Sequence, residues 1–106
     1  MVISTLRILT GPQSRAGVVR TLTAQLGPMR VLPGCHMCDL YQDVADAAVI
    51  TLVEQWESQA DLDLRLGSEE YRAVLAAIDL SREQPEIHFD TVTRRPGLEV
   101  IASARG

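Results

Sequence analysis

Val49-Ile50-Thr51-Leu52-Val53 carries the strongest β signal in the chain, and the pattern of the strand-like run that holds it, Ala48–Trp56, decides the fold. One alternate set is Val49, Thr51, Val53 and Gln55; the other is Ile50, Leu52, Glu54 and Trp56. Neither set is a water-facing row. A sheet covered on one side only shows apolar residues inward and polar residues outward. Apolar residues on both faces call for a cover on each. In a chain of 106 residues, helices supply one cover, and a second copy related by a two-fold axis is the natural other. The pattern therefore predicts a homodimer.

Outward from this run, Cys35–Gln42 is a second strand, joined to the first by a hairpin-length connection. Val2–Leu9 is a third strand, stopped by Gly11-Pro12. Between Val2–Leu9 and Cys35–Gln42, Val18, Leu22 and Leu26 recur at helical spacing, with Ser14 as the expected N-cap. Gly27-Pro28 is expected to end or kink that helix. Ser58 with Asp61 three residues on resembles a capping box for a short helix to Leu66. Ser68 is expected to cap a further helix, whose apolar face comprises Tyr71, Val74, Leu75 and Ile78. Glu86–Thr93 is the last strand of the sheet, and Leu98–Ala102 is expected as a short fifth strand at the dimer interface. The order β-α-β-β-α-β is the ferredoxin-like α+β arrangement, a four-stranded antiparallel sheet with helices on one face. It forms one domain over residues 1–93, followed by a tail over 94–106.

Composition narrows the function. The net charge is −4, every fixed positive charge is arginine, and no basic stripe is present. A phosphate-binding surface needs such a stripe, so nucleic-acid binding is not expected. No run approaches the roughly 20 apolar residues of a membrane span. The opening residues lack the basic and apolar regions of a signal peptide, and a cytoplasmic location is the expectation.

Cys35-His36-Met37-Cys38 is nominally a C-x-x-C motif. On a regular strand, positions three apart face opposite ways and their Cα atoms lie about 10 Å apart, too far for a disulfide. There is no second cysteine pair to complete a structural zinc site. Two unpaired thiols and no metal are expected.

Four segments in order now carry a resemblance: Pro33-Gly34-Cys35, Tyr41-Gln42-Asp43, Val53-Glu54-Gln55-Trp56-Glu57-Ser58 and Ser68-Glu69-Glu70-Tyr71-Arg72. In content and spacing they resemble the antibiotic biosynthesis monooxygenase family, over residues 1 to about 93. The resemblance implies a dimeric α+β barrel with two sheets face to face and a ligand cavity between sheet and helices in each subunit. It also implies oxygenation of polycyclic phenols or quinols without metal or flavin, although members with other activities exist. Where haem-degrading relatives carry an iron-ligating histidine, this chain has Leu75. Their helical tryptophan falls near Arg65 and their first-strand asparagine near Thr5, so haem degradation is not expected. Many other relatives carry histidine near Arg65 and at Glu70, and both are replaced here.

Cofactor-free oxygenation draws its electrons from the substrate. The protein must then supply a dry cavity, a base and a group to hold the resulting anion. The candidates are His36 or His88 as base, Arg65 or Tyr71 for the anion, and Trp56 as a wall for a flat ligand. Each also has a plain structural reading. Trp56 and Tyr71 can be core anchors, and the histidines can be hydrogen-bonded at a dimer interface. Glu54, within a doubly covered strand, must be paired or perturbed. Arg7 across the sheet or a partner arginine is its expected mate; otherwise it belongs to a binding site. No cofactor is expected; the expected partners are molecular oxygen and a small aromatic or quinone-type substrate. The competing expectation is a non-catalytic dimeric barrel that binds a small ligand or serves a stress response.

Overall fold

The structure, a computed structural model, describes residues 1–106. Four strands form one antiparallel sheet: β1 (Val2–Leu9), β2 (Cys35–Gln42), β3 (Val49–Trp56) and β4 (Glu86–Thr91). Their order across the sheet is β2-β3-β1-β4. The helices are α1 (Arg15–Arg30), α2 (Gln59–Leu66), α3 (Tyr71–Asp79) and α4 (Glu99–Ala104). The two helices expected after Trp56 are α2 and α3, and the ferredoxin-like topology stands.

Alternation along β1 and β3 sorts the two faces. Val2, Ser4, Leu6 and Ile8 pair with Trp56, Glu54, Leu52 and Ile50, and all eight are buried beneath the helices. The main core joins Leu6, Ile8, Ile50 and Leu52 to Val18, Leu22 and Met29 of α1 and to Tyr71, Val74 and Ala77 of α3. A smaller cluster of Val2, Trp56 and Leu62 closes the end of the sheet under α2. On the opposite face, Ile3, Thr5, Leu9, Met37, Thr51, Val53 and Gln55 are only half-buried.

Pro28 does not end α1. The helix runs through it to Arg30. Proline costs one backbone hydrogen bond there, but Met29, 4% exposed, holds the last turn onto the core. Ser14 stands at the N-cap of α1 as expected, although its side chain makes no capping hydrogen bond; Ser68 does not cap α3, whose N-cap is Glu70. The Ser14 hydroxyl donates back to the Gly11 carbonyl, and that of Ser68 donates to the Arg65 carbonyl. Ser58 does cap α2: its Oγ accepts from the Asp61 N–H at 3.2 Å and donates to Asp61 Oδ2 at 2.9 Å. On α3, Leu75 is exposed and Ala77 takes the inward position.

The segment expected as a fifth strand is the helix α4. Ile101 and Ala102 donate to the Leu98 carbonyl, and Glu99 Oε1 accepts from the Gly97 N–H at 2.8 Å. No sheet edge is paired with it, so local hydrogen bonds prevail over the β-branched content of Leu98–Ala102.

A register shift between Cys35 and Met37 revises the reading of the cysteines. Cys35 lies opposite Trp56, and Cys38 opposite Glu54. One extra residue on the bulged strand restores the phase, so both thiols face inward. Both are free, with Cys38 fully buried and Cys35 packed against the two core clusters. Burial, reinforced by the Glu54 charge, raises both thiol pKa values, that of Cys38 to about 12. Thiols held protonated in this way are poor nucleophiles.

Gly34, with φ of +84°, makes the turn into β2. A Cβ there would stand 2.5 Å from Asp61 Oδ2. Gly34→Ala is therefore expected to cost about 1–3 kcal/mol through the left-handed backbone alone, with the contact added to it. Urea titration of the single variant and of the variant combined with Asp61→Ala separates the two contributions. Equal losses would show that the Asp61 contact is immaterial.

Candidate functional site

Glu54 Oε1 and Oε2 accept from Arg65 Nε at 2.9 Å and Arg65 Nη2 at 3.2 Å. The two side chains are 2% and 1% exposed, so this is a buried, two-pronged ion pair. Glu54 points inward because it shares the phase of Ile50, Leu52 and Trp56. Arg65 reaches it from the last turn of α2, which packs over the end of β3. The neighbours complete the network. Trp56 Nε1–H donates to Glu54 Oε1 at 3.1 Å. Arg65 Nη1 donates to Gln25 Oε1 at 2.9 Å, and Gln25 Nε2 donates to the Glu70 carbonyl at 3.0 Å. The Arg65 guanidinium lies over the Tyr71 ring, 5.0 Å from its centroid. Burial, then the Glu54 charge, raises the Tyr71 pKa, so its phenol stays protonated at neutral pH. No buried side-chain nitrogen or oxygen lacks a partner.

Against this network lies a cleft of 400 Å³ between the end of the sheet and the helices. Pro28 and Met29 of α1, with Leu32 and Pro33 after it, form one wall. Trp56, Leu64 and Arg65 form another, and Asp61, Ser68 and Glu70 complete the lining. The volume suits a ligand of two or three fused rings. Trp56 is only 2% exposed. It gives the cleft a sliver of its surface rather than an open ring face, and its main task is to anchor the core.

The expected site residues are thus partly brought together. Glu54, Trp56, Arg65 and Tyr71 form one connected cluster, with Trp56 and Arg65 on the wall. The partner of Glu54 is Arg65, whereas Arg7 faces outward and pairs with Glu86 at 3.9 Å. The histidines are not in the cleft. His36 sits at the bulge, exposed and paired through Nε2 with Glu57 Oε2. His88 lies on β4 opposite Thr5, on the face away from the helices. The cleft's ionisable groups other than Arg65 are the carboxylates Asp61 and Glu70, which the residue pattern alone did not single out. Asp61 as the third residue after the Ser58 cap was a usable signal, and Glu70 stands where the resemblance places a histidine in many relatives; the meeting of α2 and α3 brings both to the cleft.

The family described as antibiotic biosynthesis monooxygenase matches this chain over residues 1–77. Rv0793 of Mycobacterium tuberculosis, provisionally named a monooxygenase, is 34% identical over 65 residues. That stretch covers 61% of this chain and 63% of the relative, less than two thirds of its length. The solved structure of Rv0793 superposes with a TM-score of 0.81 at 23% identity, covering 91% of this chain and 98% of that one. An antibiotic biosynthesis monooxygenase from Deinococcus radiodurans, its assignment also provisional, gives 0.82 at 17% identity, covering 92% and 97%. At these identities the structural likeness establishes the fold. No helix is long and apolar enough to cross a membrane.

Proposed function

Because this chain belongs to the antibiotic biosynthesis monooxygenase family, we propose that it is a cofactor-independent monooxygenase or oxidase acting on a quinol-like or polyphenolic small molecule held in the cleft beside Trp56 and Arg65. The observation that carries this reading is the cleft itself, apolar on its main walls and backed by a fully hydrogen-bonded polar network.

The substrate supplies the electrons. In the oxidase reaction, a hydroquinone gives two electrons and two protons to O₂, yielding quinone and hydrogen peroxide. In the monooxygenase reaction, one oxygen atom replaces two hydrogens on an activated CH₂ to give a carbonyl, and the other leaves as water. The apolar wall of Met29, Leu32 and Leu64 limits water around the ring. Arg65 uses three of its five N–H groups on Glu54 and Gln25, leaving two to meet a substrate oxygen. Glu70 is the exposed carboxylate of the cleft and its candidate proton acceptor. The working unit is a homodimer joined through the sheet face away from the helices.

Oxygen uptake by metal-free protein with a panel of hydroquinones tests this function. Turnover is expected, falling at least tenfold when Leu64→Trp fills the cleft. His36→Ala and His88→Ala are expected to leave the rate within twofold, since neither side chain reaches the cleft. Binding of the panel without oxygen uptake would overturn the catalytic reading in favour of a ligand-binding barrel.

A further inference from the structure

We propose that the cleft is selective for charge: it takes flat ligands that are neutral or cationic, including the un-ionised form of a phenol, and rejects anionic ones. This inference rests on the cleft being the ligand site and concerns which ligands it admits.

An arginine on a cavity wall usually marks an anion site. Here that charge is already spent. Both carboxylate oxygens of Glu54 face the Arg65 guanidinium at 2.9 and 3.2 Å, and both side chains are buried, so the pair presents almost no net charge to the cleft. Nη1 of Arg65 is further committed to Gln25. Arg30, next in the chain to the lining residue Met29, is committed elsewhere: its Nε donates to the Cys38 carbonyl and its Nη2 meets Asp39 Oδ1 at 2.6 Å. Arg72, after α3 begins, pairs with Glu69 on the exposed surface. What remains is Asp61 and Glu70, two carboxylates lining a cleft with no uncompensated cation. Apolar walls concentrate their field across the opening. A carboxylate-bearing ring entering the cleft would meet two like charges and lose its hydration. Arg65 has hydrogen bonds to offer it but no charge left to neutralise it. A neutral phenol meets neither cost, and an ammonium group gains from both carboxylates.

The cleft adjoins the chain's single indole, so the Trp56 Nε1–H resonance is an unambiguous reporter. Titration with three probes sharing one ring system reads the selectivity: 2-naphthylmethanol, 2-naphthylmethylammonium and 2-naphthoate. The neutral and cationic probes are expected to bind at least tenfold more tightly than naphthoate, and the gap to shrink with added salt. Glu70→Gln keeps the carbonyl that Gln25 binds and removes one charge; it is expected to tighten naphthoate at least threefold. Naphthoate binding as tightly as the alcohol, or unmoved by Glu70→Gln, would overturn the selectivity while leaving the cleft a ligand site. Silence of the indole resonance to all three probes would overturn the ligand site itself, and the selectivity with it.

Discussion

Glu54→Ala is expected to cost about 3–5 kcal/mol, the usual cost of leaving a buried charge without its partner. Arg65 is 1% exposed on its side chain and cannot turn to water without unpacking α2 from β3. Trp56 would lose its acceptor at the same time. A small domain has about 5–15 kcal/mol of stability in total, so this single change takes a large share of it. Heating should show it as a fall in Tm of roughly 12–40 °C, at the 4–8 °C per kcal/mol typical of a domain this size. Arg65→Ala should cost about as much, because it strands the carboxylate instead. The double variant Glu54→Leu, Arg65→Met is expected to recover most of the loss, since a buried pair replaced by apolar residues of similar volume is often neutral or better. Such strong non-additivity is the signature of a coupled pair. Additive losses, read from denaturant midpoints, would mean that the two side chains act independently. The double variant also bears on function: it keeps the shape of the cleft and removes the guanidinium, so its oxygen uptake separates a role for Arg65 in the reaction from a role in folding.

The residues that could be read without coordinates are those whose behaviour is set by neighbours close in sequence. The β-branched run Val49–Val53, helical spacing in Val18–Leu22–Leu26 and the Ser58–Asp61 cap all follow from local geometry, and each is found in place. What escaped depends on contacts distant in sequence. Pro28 stays helical because Met29 is gripped by the core, which a proline rule cannot see. The facing of Cys35 and His36 turns on one bulge, and a slip of one residue exchanges the faces of a strand. Glu54 has Ser4 opposite it across the sheet; its partner Arg65 arrives from above, on a helix whose path over β3 no spacing in the chain encodes. The histidines were plausible bases by residue type alone. Their positions at the bulge and on β4 remove them from the cleft, while Asp61 and Glu70 enter it because α2 and α3 meet there.

Val53→Glu is expected to abolish the proposed dimer. Val53 stands on the central strand β3, on the face away from the helices, with Thr5 opposite on β1 and Asp39 opposite on β2. Around it Ile3, Met37, Thr51 and Leu9 are half-buried in the single chain, while the charged residues of this face lie to either side, Arg7, Glu86, His88 and Asp90 toward β4 and Asp39 on β2. An apolar centre with a charged margin is how interfaces between copies are built. In a lone subunit the introduced carboxylate would remain at the solvent-facing surface and cost little. In a face-to-face pair it would be buried near its symmetry mate and beside Asp39, the nearby cations Arg30 and Arg7 being already paired with Asp39 and Glu86, and a buried unpaired carboxylate costs several kcal/mol. A penalty of about 4 kcal/mol weakens the dimer roughly a thousandfold, at 1.4 kcal/mol per tenfold. Light scattering at micromolar concentration should therefore give twice the 11.6 kDa chain mass for the parent protein and the single chain mass for Val53→Glu. Circular dichroism of the variant should retain the native helix and strand signal, because the inward core of Leu6, Ile8, Ile50 and Leu52 is untouched. A parent protein that is already monomeric would remove the dimer from the proposal. A Val53→Glu protein that stays dimeric would move the interface to another surface.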